Sequence, residues 1–526
     1  MSWQDKKDLA WISIVAALLL VWSSLPTWAG QWAQTSDLHF RGIYFDAQDY
    51  SEHISMMRSG MQGQWGYELR FTSETQHPTF VRLFYVILGH VSAWTALAPE
   101  RTFELARWIL GFAALFAIYD LFRRVFPDRF WARTGFFLCV LGSGLGWIQL
   151  LFHWVPGPIT PVDFWLIDAY VFFTISLFPH LTFAVAAACL GASLWLSYLK
   201  EAHWLNIAGI ALISIIVQFV NPVAFAVVDF SFAGAALFAW WQAERIRWPD
   251  IRALLILALA QALPLLYNLL VFTYDPVWRQ FTAQNQTLSP PLPYYVWGFA
   301  PFWLPAIGGA WSAIRERLPA LGAAIFWVLS GLLLAYSPFL IQRRFLLGIT
   351  IPLALLSTAA LIKLVENGFA GIPSLKRIRS RLVLLIILVA SLSTVYLGFG
   401  RVAYLQTHPA EFYYPAGLDQ AAQWLEQNAP ANDLVLASDQ TAQIVAQKTD
   451  LRVYSGHENE TLYYYAKRKE VLSFYSNKVP ADWIGGTSVK WVVYGPLEQE
   501  INPDFVPPPN LELVYDSQGV QIFAVQ

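Results

Sequence analysis

The apolar residues of this chain fall in long blocks that carry few or no charges. Each block has about 17 to 22 residues, so as a helix it can cross the roughly 30 Å hydrocarbon core of a membrane. The pattern predicts a mainly α fold, a polytopic transmembrane helical bundle. Its eleven spans are expected near residues 9–29, 103–122, 134–153, 181–199, 204–220, 223–242, 253–272, 296–313, 319–340, 345–363 and 382–399.

The first block follows Lys6 and Lys7 and resembles a signal peptide, with Trp28-Ala29-Gly30 as a cleavage point. Its apolar stretch of about 20 residues is longer than a signal-peptide core of about 7–15 residues. We therefore interpret it as a retained membrane anchor whose N-terminus is cytoplasmic.

The apolar segment 79–98 is not counted as a span. Counting it would put the arginines from Arg123 to Arg133 outside, against the positive-inside rule, so we expect it to lie along the outer face. The other short basic loops then fall inside, at Lys200, 244–252, 315–317 and Lys376 to Arg381. The loop 30–102, the segment 154–180 and the tail are placed outside.

The chain changes character after about residue 400, because charged residues return and strand patterns alternate with helical ones. Strands are predicted at 434–437, 452–454, 489–494, 511–515 and 520–524, and amphipathic helices at 416–428 and 460–475. The sequence thus predicts a transmembrane module at 1–399 and a small extracytoplasmic α/β domain at 400–526. We expect this domain to cap the outer face or to help hold a substrate.

Composition supports the membrane assignment and narrows the function. Only 13% of the residues are charged and 56% are hydrophobic, whereas soluble domains have about 25% charged residues. The formal net charge of −2 argues against a nucleic-acid partner. Two cysteines, Cys139 and Cys189, provide neither a disulfide framework nor a metal-site spacing.

Acidic and imidazole side chains are concentrated in the first outer loop: Asp37, His39, Asp46, Asp49, Glu52, His53, Glu68, Glu74 and His77. Such a loop can simply be solvated. However, Asp46 and Asp49 stand among aromatic residues, and Asp49 and His53 would share one helix face. A partly desolvated carboxylate there could act as a general base. Two carboxylates and a histidine could also hold a divalent cation, although their spacing defines no coordination set.

Further polar residues stand at the outer ends of predicted spans. Arg343 and Arg344 interrupt apolar sequence there, and they could snorkel to lipid headgroups or clamp a lipid phosphate. Asp163, His180 and Asn221 have ordinary explanations as caps or turns. Their joint placement on one side of the membrane is typical of a substrate pathway.

The layout resembles the GT-C class of integral membrane glycosyltransferases, in its bacterial members. The resemblance covers most of residues 1–400 and depends on the order of its motifs: Asp46-Ala47-Gln48-Asp49-Tyr50, His77-Pro78, Ala106-Arg107-Trp108, Arg123-Arg124, Gly142 to Trp147, and Phe178-Pro179-His180. It implies that Asp46, with Asp49 as runner-up, is the catalytic base or positions the acceptor. It also implies that Arg343 and Arg344 bind a lipid phosphate.

The first hypothesis is a glycosyltransferase of the cell envelope, in the inner or plasma membrane, that uses a polyprenyl-phosphate-linked sugar. Its acceptor would be a glycan, a lipid or a protein. His53, His77, His180 and Asp163 are the further candidate substrate-binding residues. The alternatives are a flippase for a lipid-linked glycan and a non-catalytic assembly protein. A flippase needs ionisable groups within its spans, where Asp229 is the main one.

Overall fold

The computed structural model describes residues 6–154, 157–368, 375–480 and 482–526. Of the basic stretch predicted from Lys376 to Arg381, the side chains before Arg379 lie outside the described residues. The helices of the first half are α1 (Lys6–Ala33), α2 (Ala47–Met61), α3 (Leu83–Thr95), α4 (Pro99–Val125), α5 (Arg129–Leu141), α6 (Gly146–Leu151), α7 (Val171–Leu177), α8 (Pro179–Glu201), α9 (Trp204–Val220), α10 (Pro222–Ala243) and α11 (Trp248–Tyr274).

The remaining helices are α12 (Pro276–Gln284), α13 (Leu292–Gly298), α14 (Ala300–Glu316), α15 (Pro319–Leu334), α16 (Thr350–Gly368), α17 (Leu375–Ala390), α18 (Leu392–Leu405), α19 (Gly417–Asn428), α20 (Asp439–Lys448), α21 (Tyr464–Tyr475) and α22 (Pro496–Gln499). The strands are β1 (Leu38–Phe40), β2 (Tyr413–Pro415), β3 (Leu434–Leu436), β4 (Arg452–Val453), β5 (Val489–Tyr494), β6 (Leu511–Ser517) and β7 (Val520–Val525).

The chain forms two compact units, each assembled from separate stretches of sequence. Unit 1 consists of residues 1–25, 106–267 and 287–401. Unit 2 consists of residues 26–105, 268–286 and 402–526. The predicted outer loop and the predicted tail domain therefore contribute to one folded body, unit 2.

Among the described residues, six helices are long and apolar enough to cross a membrane: α1, α4, α8, α10, α11 and the continuous stretch Gln342–Glu366. A seventh crossing is obtained if residues 379–390 and α18, which meet at a bend of 49°, count as one span. The chain thus has the helices of a multi-pass membrane protein. The predicted count of eleven is not confirmed, because α9 and α15 are shorter and the other apolar blocks are interrupted.

The span predicted at 134–153 shows how such an interruption arises. It divides into α5 and α6, because the backbone between them leaves the helical conformation at Gly142. A Cβ atom on Gly144 would lie 2.3 Å from the carbonyl oxygen of Gly298, so only glycine permits this close approach. The Ser143 N–H instead donates to the Ala390 carbonyl, at the bend between α17 and α18.

Two buried charged side chains, those of Arg107 and Asp8, connect helices of unit 1. The guanidinium of Arg107 in α4 donates to the hydroxyls of Ser23 and Ser24 and to the Ile175 carbonyl. Asp8 is buried and lies 3.0 to 3.4 Å from the guanidinium groups of Arg123, Arg129 and Arg133. Because each of these charges has hydrogen-bonding or oppositely charged partners, it is tolerated within an apolar bundle.

In unit 2, a five-stranded mixed sheet has the order β4-β3-β5-β7-β6. β3 pairs in parallel with β4 and β5, and β7 pairs antiparallel with β5 and β6. Side chains of the strands alternate between two cores: Val493 packs with residues of α19 and α20, and Val492 packs with residues of α21. The five predicted strands are confirmed, whereas α20 was not predicted.

The first loop is joined to this sheet domain by several contacts within unit 2. β1 pairs antiparallel with β2, with Phe40 opposite Tyr413. Phe71 is fully buried in the core that faces α19 and α20, and its carbonyl accepts from the hydroxyl of Thr461 at 2.7 Å. Helix α3, which covers most of the segment predicted not to cross, has only 13 residues and would extend about 20 Å.

Candidate functional site

The candidate site is built on the first turn of α2. Asp46 is the N-cap residue, in the left-handed conformation at φ 50°, and its carboxylate accepts from the backbone N–H of Asp49 at 3.3 Å. Aspartate is among the few non-glycine residues that adopt this conformation readily. Asp46 is half-buried. Burial, followed by the nearby charge of Asp49, raises the pKa of Asp46 to about 7. This carboxyl group can therefore exchange a proton near neutral pH.

Asp49, one turn away, contacts a histidine of the tail. Its Oδ1 lies 3.2 Å from Nε2 of the buried His457. The ring is oriented by its own loop, because Nδ1 accepts the backbone N–H groups of Asn459 at 3.1 Å and Glu460 at 3.3 Å. An Nδ1 atom that accepts carries no proton, so the neutral ring holds its proton on Nε2, the nitrogen that lies beside Asp49.

The charge on this ring follows from the same contacts. Burial would lower the pKa of His457, but the hydrogen bond to Asp49 and the neighbouring carboxylates raise it above its ordinary value. A second proton would have to sit on Nδ1, opposite two N–H donors. These two donors oppose the upward shift of the pKa that the carboxylates cause.

Behind Asp49 lies a buried ion cluster. The backbone of Arg82, like that of Asp46, is in the left-handed conformation, at φ 60°. Its guanidinium contacts both carboxylate oxygens of Glu52 and lies 2.5 Å from Oε1 of Glu460. The side chains of Glu52 and Glu460 are 1% and 2% exposed. The guanidinium also lies over the ring of Phe281. Burial raises the pKa of Glu52 well above its usual range, although Arg82 opposes this shift.

The acids outnumber the cations here, since the four interacting carboxyl groups of Asp46, Asp49, Glu52 and Glu460 face the two guanidinium groups of Arg82 and Arg41. Such an excess is relieved by retained protons or by a bound cation. Asp49, Glu52 and His457 each offer one ligand atom, and the three atoms lie within 4.8 Å of one another.

The donor set does not suit a metal ion in this arrangement. A histidine that ligates through Nε2 normally donates its other N–H to an acceptor. Here Nδ1 faces two donors, and both oxygens of Glu52 are already engaged by Arg82. The excess negative charge is therefore better relieved by the proton on Asp46.

The other predicted residues of unit 2 are His53 and His77, and Nδ1 of His53 lies 3.7 Å from Oε2 of Glu52 in the cluster. His53 is buried and its ring stacks on Tyr85, with centroids 4.0 Å apart. His53 stands one helical turn after Asp49 on α2, as expected, and His457 from the tail also lies beside Asp49. His77 is exposed. Substrate binding by His53 and His77 stays a prediction.

Four predicted residues belong to unit 1. The Arg343 guanidinium lies over the ring of Trp165 at 5.2 Å. Arg344 is half-buried, and no carboxylate of the described residues pairs with it. Asp163 is buried and accepts from the Gly146 N–H at the start of α6, and burial raises the pKa of Asp163 to about 6. His180, in the first turn of α8, contacts Phe178.

Sequence reasoning missed His457 and Glu460. Both stand in the short run Gly456 to Thr461. One signal was present, namely that a histidine and two glutamates fall between a strand and a helix. The loop 30–102 attracted attention by its density of acids, whereas this run is short.

The fold has relatives of known structure. ArnT from Cupriavidus metallidurans, in its crystal structure bound to undecaprenyl phosphate, aligns with 99% of this chain and 98% of its own, with a TM-score of 0.56 and 13% sequence identity. An oligosaccharyltransferase from Archaeoglobus fulgidus, in complex with zinc and sulfate, aligns with 92% of this chain and 67% of its own, with a TM-score of 0.53 and 14% identity.

At these identities the likeness shows a shared fold. The resemblance to the GT-C class is confirmed at that level, because both relatives have this fold. No protein-family model and no curated protein sequence matches the chain.

Proposed function

We propose that the protein is a membrane glycosyltransferase that moves a sugar from a polyprenyl-phosphate donor to an acceptor hydroxyl. The observation that carries this proposal is the half-buried carboxyl group of Asp46, whose pKa of about 7 suits a general base. The shared fold supports it, since one relative is bound to undecaprenyl phosphate and another is an oligosaccharyltransferase.

In the proposed reaction the acceptor oxygen attacks the anomeric carbon of the donor sugar. Asp46 takes the proton of the attacking hydroxyl, and the bond between the anomeric carbon and the phosphate oxygen breaks. The electron pair remains on the phosphate oxygen. Positive groups that already face this oxygen lower the barrier, because its charge grows in the transition state. We assign that role to Arg343 and Arg344.

The proposal also includes more membrane spans than the six or seven that the described helices provide by length and composition. We propose that shorter apolar helices such as α9 and α15 also cross the membrane, which gives about eleven spans. The protein would lie in the inner or plasma membrane, with a cytoplasmic N-terminus and an extracytoplasmic tail. The basic residues Arg123 to Arg133 support this orientation through the positive-inside rule.

We derive no step through a metal ion. The three side chains whose ligand atoms lie close enough to share a divalent cation are Asp49, Glu52 and His457. Two of them are engaged by hydrogen bonds or an ion pair that a metal would have to break. The Zn in one relative's structure belongs to that protein. His457 is instead proposed as a positioning residue, because its Nε2 atom lies 3.2 Å from the carboxylate of Asp49, which is one helical turn from Asp46.

The transporter alternative is less well supported. Its main intramembrane acid, Asp229 in α10, accepts from the amide of Gln261 in α11 at 3.0 and 3.2 Å. Gln261 in turn accepts from Gln218 in α9. Asp229 is thus tied into a hydrogen-bonded chain that links three helices. No observation specifically favours a non-catalytic assembly protein.

The test of the function is a transfer assay. Purified protein in lipid discs is given a polyprenyl-phosphate-linked sugar, and release of the polyprenyl phosphate is measured against time. Release that requires Asp46 supports the proposal. Release at equal rates with and without Asp46 contradicts the assigned mechanism.

His457→Asn should lower kcat about 10-fold with little change in KM. Asparagine can still accept the backbone N–H groups of Asn459 and Glu460, as asparagine does at helix caps, but it has no donor that reaches Asp49. A hydrogen bond to a charged group is worth about 1.5–3 kcal/mol, which corresponds to at least 10-fold. The transfer assay measures both constants.

A double-mutant cycle distinguishes positioning from a general loss of structure. If His457 acts through Asp49, His457→Asn in an Asp49→Asn background should cause no further loss. Additive losses would contradict the coupling. A metal role would be indicated if EDTA lowered the wild-type kcat as much as His457→Asn does, and that result would also overturn the positioning role.

Arg344→Ala should weaken retention of undecaprenyl phosphate at least 10-fold. Arg344 has no carboxylate partner among the described residues, so its charge is available for a phosphate group. Native mass spectrometry of protein in lipid discs measures the bound fraction at several lipid concentrations. The matched control is Arg245→Ala, which removes an exposed arginine from the loop between α10 and α11. Equal retention by both variants would assign Arg344 to headgroup snorkelling.

A further inference from the structure

A cavity of about 490 Å³ in unit 2 lies directly beside Asp46. Its walls include the start of α2, the start of α20, one face of α21 and residues of α22. The polar residues that line it include Asp46, Glu411, Asp439, Gln440, Arg468 and Glu500. The reaction described above uses only Asp46 of this set. The remainder of the wall, supplied mostly by the tail, has no assigned role.

Part of this wall is held in place by its own hydrogen bonds. The Oδ2 atom of Asp439 accepts from the hydroxyl of Tyr464 at 2.9 Å and from Nε of Arg468 at 2.9 Å. These groups therefore have fixed positions before a ligand arrives, which reduces the entropy that binding would cost. A rigid set of carboxylate, hydroxyl and guanidinium groups can donate to and accept from several hydroxyls of one ligand.

The cavity also has apolar lining. Val471 and Leu472 follow Arg468 on α21, and Leu497 and Ile501 come from α22 and the residue run after it. Binding sites commonly combine apolar walls with a few placed polar groups. A sugar ring has the matching character, because its C–H faces are apolar and its edge carries hydroxyls. A peptide backbone would leave the apolar part of the lining unmatched, and an alkyl chain would leave the polar groups unmatched.

The charge of the lining restricts the ligand further. Asp46, Glu411, Asp439 and Glu500 are acidic, whereas only Arg41 and Arg468 are basic. Two negative charges are therefore in excess when Asp46 is ionised, and one when Asp46 is protonated. A phosphate or carboxylate group would be repelled in either state. Neutral and amine-bearing ligands meet no such penalty.

We propose that this cavity is the acceptor site, and that the acceptor is a sugar hydroxyl of a neutral or amine-bearing glycan. The inference rests on the proposed function, since it takes Asp46 as the base that receives the proton of this hydroxyl. It excludes a phosphorylated lipid as the group that occupies the cavity. The protein would then extend or decorate a glycan.

Sugar binding can be measured without transfer. Saturation-transfer NMR on the full-length protein in lipid discs uses three probes: methyl glucoside, methyl glucosaminide and methyl glucuronide. The first two should give a signal at least about threefold stronger than that of the glucuronide. Gln440→Trp fills the cavity and should remove most of the signal. The matched control Gln427→Trp, on the exposed side of α19, should leave the signal unchanged.

A second variant tests the charge argument with exposed residues only. Glu411→Lys with Glu500→Lys changes the lining from two excess negative charges to two excess positive charges. The glucuronide should then bind better than the neutral glycoside. Equal binding of all three probes to the wild-type protein would overturn the proposal, as would a full signal in Gln440→Trp. Displacement of the glycosides by an Asn-Ala-Thr peptide would assign the cavity to a peptide acceptor instead.

The two proposals fail in different ways. If the glycosides do not bind but donor turnover still depends on Asp46, the acceptor site is wrong and the transferase function stands. If the glycosides bind as described but turnover ignores Asp46, the cavity is a sugar site and the proposed mechanism is wrong.

Discussion

Asp46→Asn should lower kcat of sugar transfer at least about 100-fold and leave undecaprenyl phosphate binding unchanged. General base catalysis contributes about 10² to 10⁴ to a rate, and the amide of asparagine cannot take the acceptor proton. Asparagine preserves the rest of the local structure. It adopts the left-handed conformation that residue 46 requires, and its side-chain oxygen can still accept the Asp49 N–H that caps α2. The kinetic loss would therefore report chemistry.

The control variant is Asp46→Ala, which removes both the base and the cap. It should show the same kinetic loss together with about 1 kcal/mol of lost stability. If Asp46→Asn kept wild-type turnover, Asp46 would have no catalytic role.

The same residue sets the expected pH dependence of transfer. Below pH 7 the carboxyl group of Asp46 holds a proton, because burial and the charge of Asp49 raise its pKa to about 7. A protonated carboxyl group cannot act as a base. The wild-type rate should therefore fall about 10-fold for each unit of pH below 7, and this acid limb should be absent from the residual rate of Asp46→Asn. A wild-type rate that stays flat down to pH 5 would contradict the role of Asp46.

The parts of the site that the sequence predicted are those defined by local spacing. Asp46 and Asp49 are three residues apart at the start of a helix, so their proximity follows from helix geometry alone. The strands of the tail were predicted for the same reason, since alternation of side chains is visible within a few residues. Local patterns of this kind need no knowledge of how distant segments meet.

The partners of these residues could not be predicted in the same way. His457 and Glu460 are about 400 residues from Asp49 and Glu52 in sequence. They come together because Phe71 of the first loop is buried in the core of the tail domain. A single sequence contains no signal for that burial. Asp49 and His53 share a face of α2 as their spacing predicts, whereas the packing of the His53 ring on Tyr85 involves a different helix and could not be predicted from that spacing.

The helices show a related limit. Hydropathy finds apolar blocks reliably, but it does not show where a block is broken. Residues 134–153 are apolar throughout most of their length, and the break at Gly142 depends on close contacts with Gly298 and Ala390 that are distant in sequence. The glycines at 142, 144 and 146 were the visible sign of this break.

Arg82→Gln should be the most destabilising single change in the site, with a loss of about 3 kcal/mol. Among the residues that the structure describes, Arg82 is the one permanent cation that pairs with Glu52 and Glu460, whose side chains are 1% and 2% exposed. Removing one partner of a buried ion pair costs about 3–5 kcal/mol, because it leaves a charge in a poorly solvated place. We expect a loss of stability at the lower end of this range, because the Arg82 side chain is itself 30% exposed. Thermal unfolding in lipid discs measures the change.

The pH dependence of this loss identifies its cause. Without Arg82, the pKa of the buried Glu52 carboxyl group should rise further above its value in the unfolded chain. A raised carboxyl pKa favours the folded state at low pH, and that contribution disappears as the pH rises through the folded value. The Arg82→Gln protein should therefore be closest to wild type at pH 5 and furthest from it at pH 8. An equal loss at both pH values would show that packing, and not charge, is responsible.

Two further variants test whether unpaired buried charge causes the loss of stability in Arg82→Gln. Replacing Glu52 and Glu460 by glutamine in the Arg82→Gln background removes the unpaired charges at nearly constant shape, and most of the lost stability should return. The matched control is Arg58→Gln, since Arg58 also contacts two carboxylates, those of Glu426 and Asp450, which are 33% and 25% exposed. Because water reaches these partners, this change should cost about 1 kcal/mol or less. If Arg82→Gln and Arg58→Gln lost the same amount of stability, burial of Glu52 and Glu460 would not explain the effect of Arg82. That result would contradict the claim that these buried acids depend on the Arg82 guanidinium for charge balance.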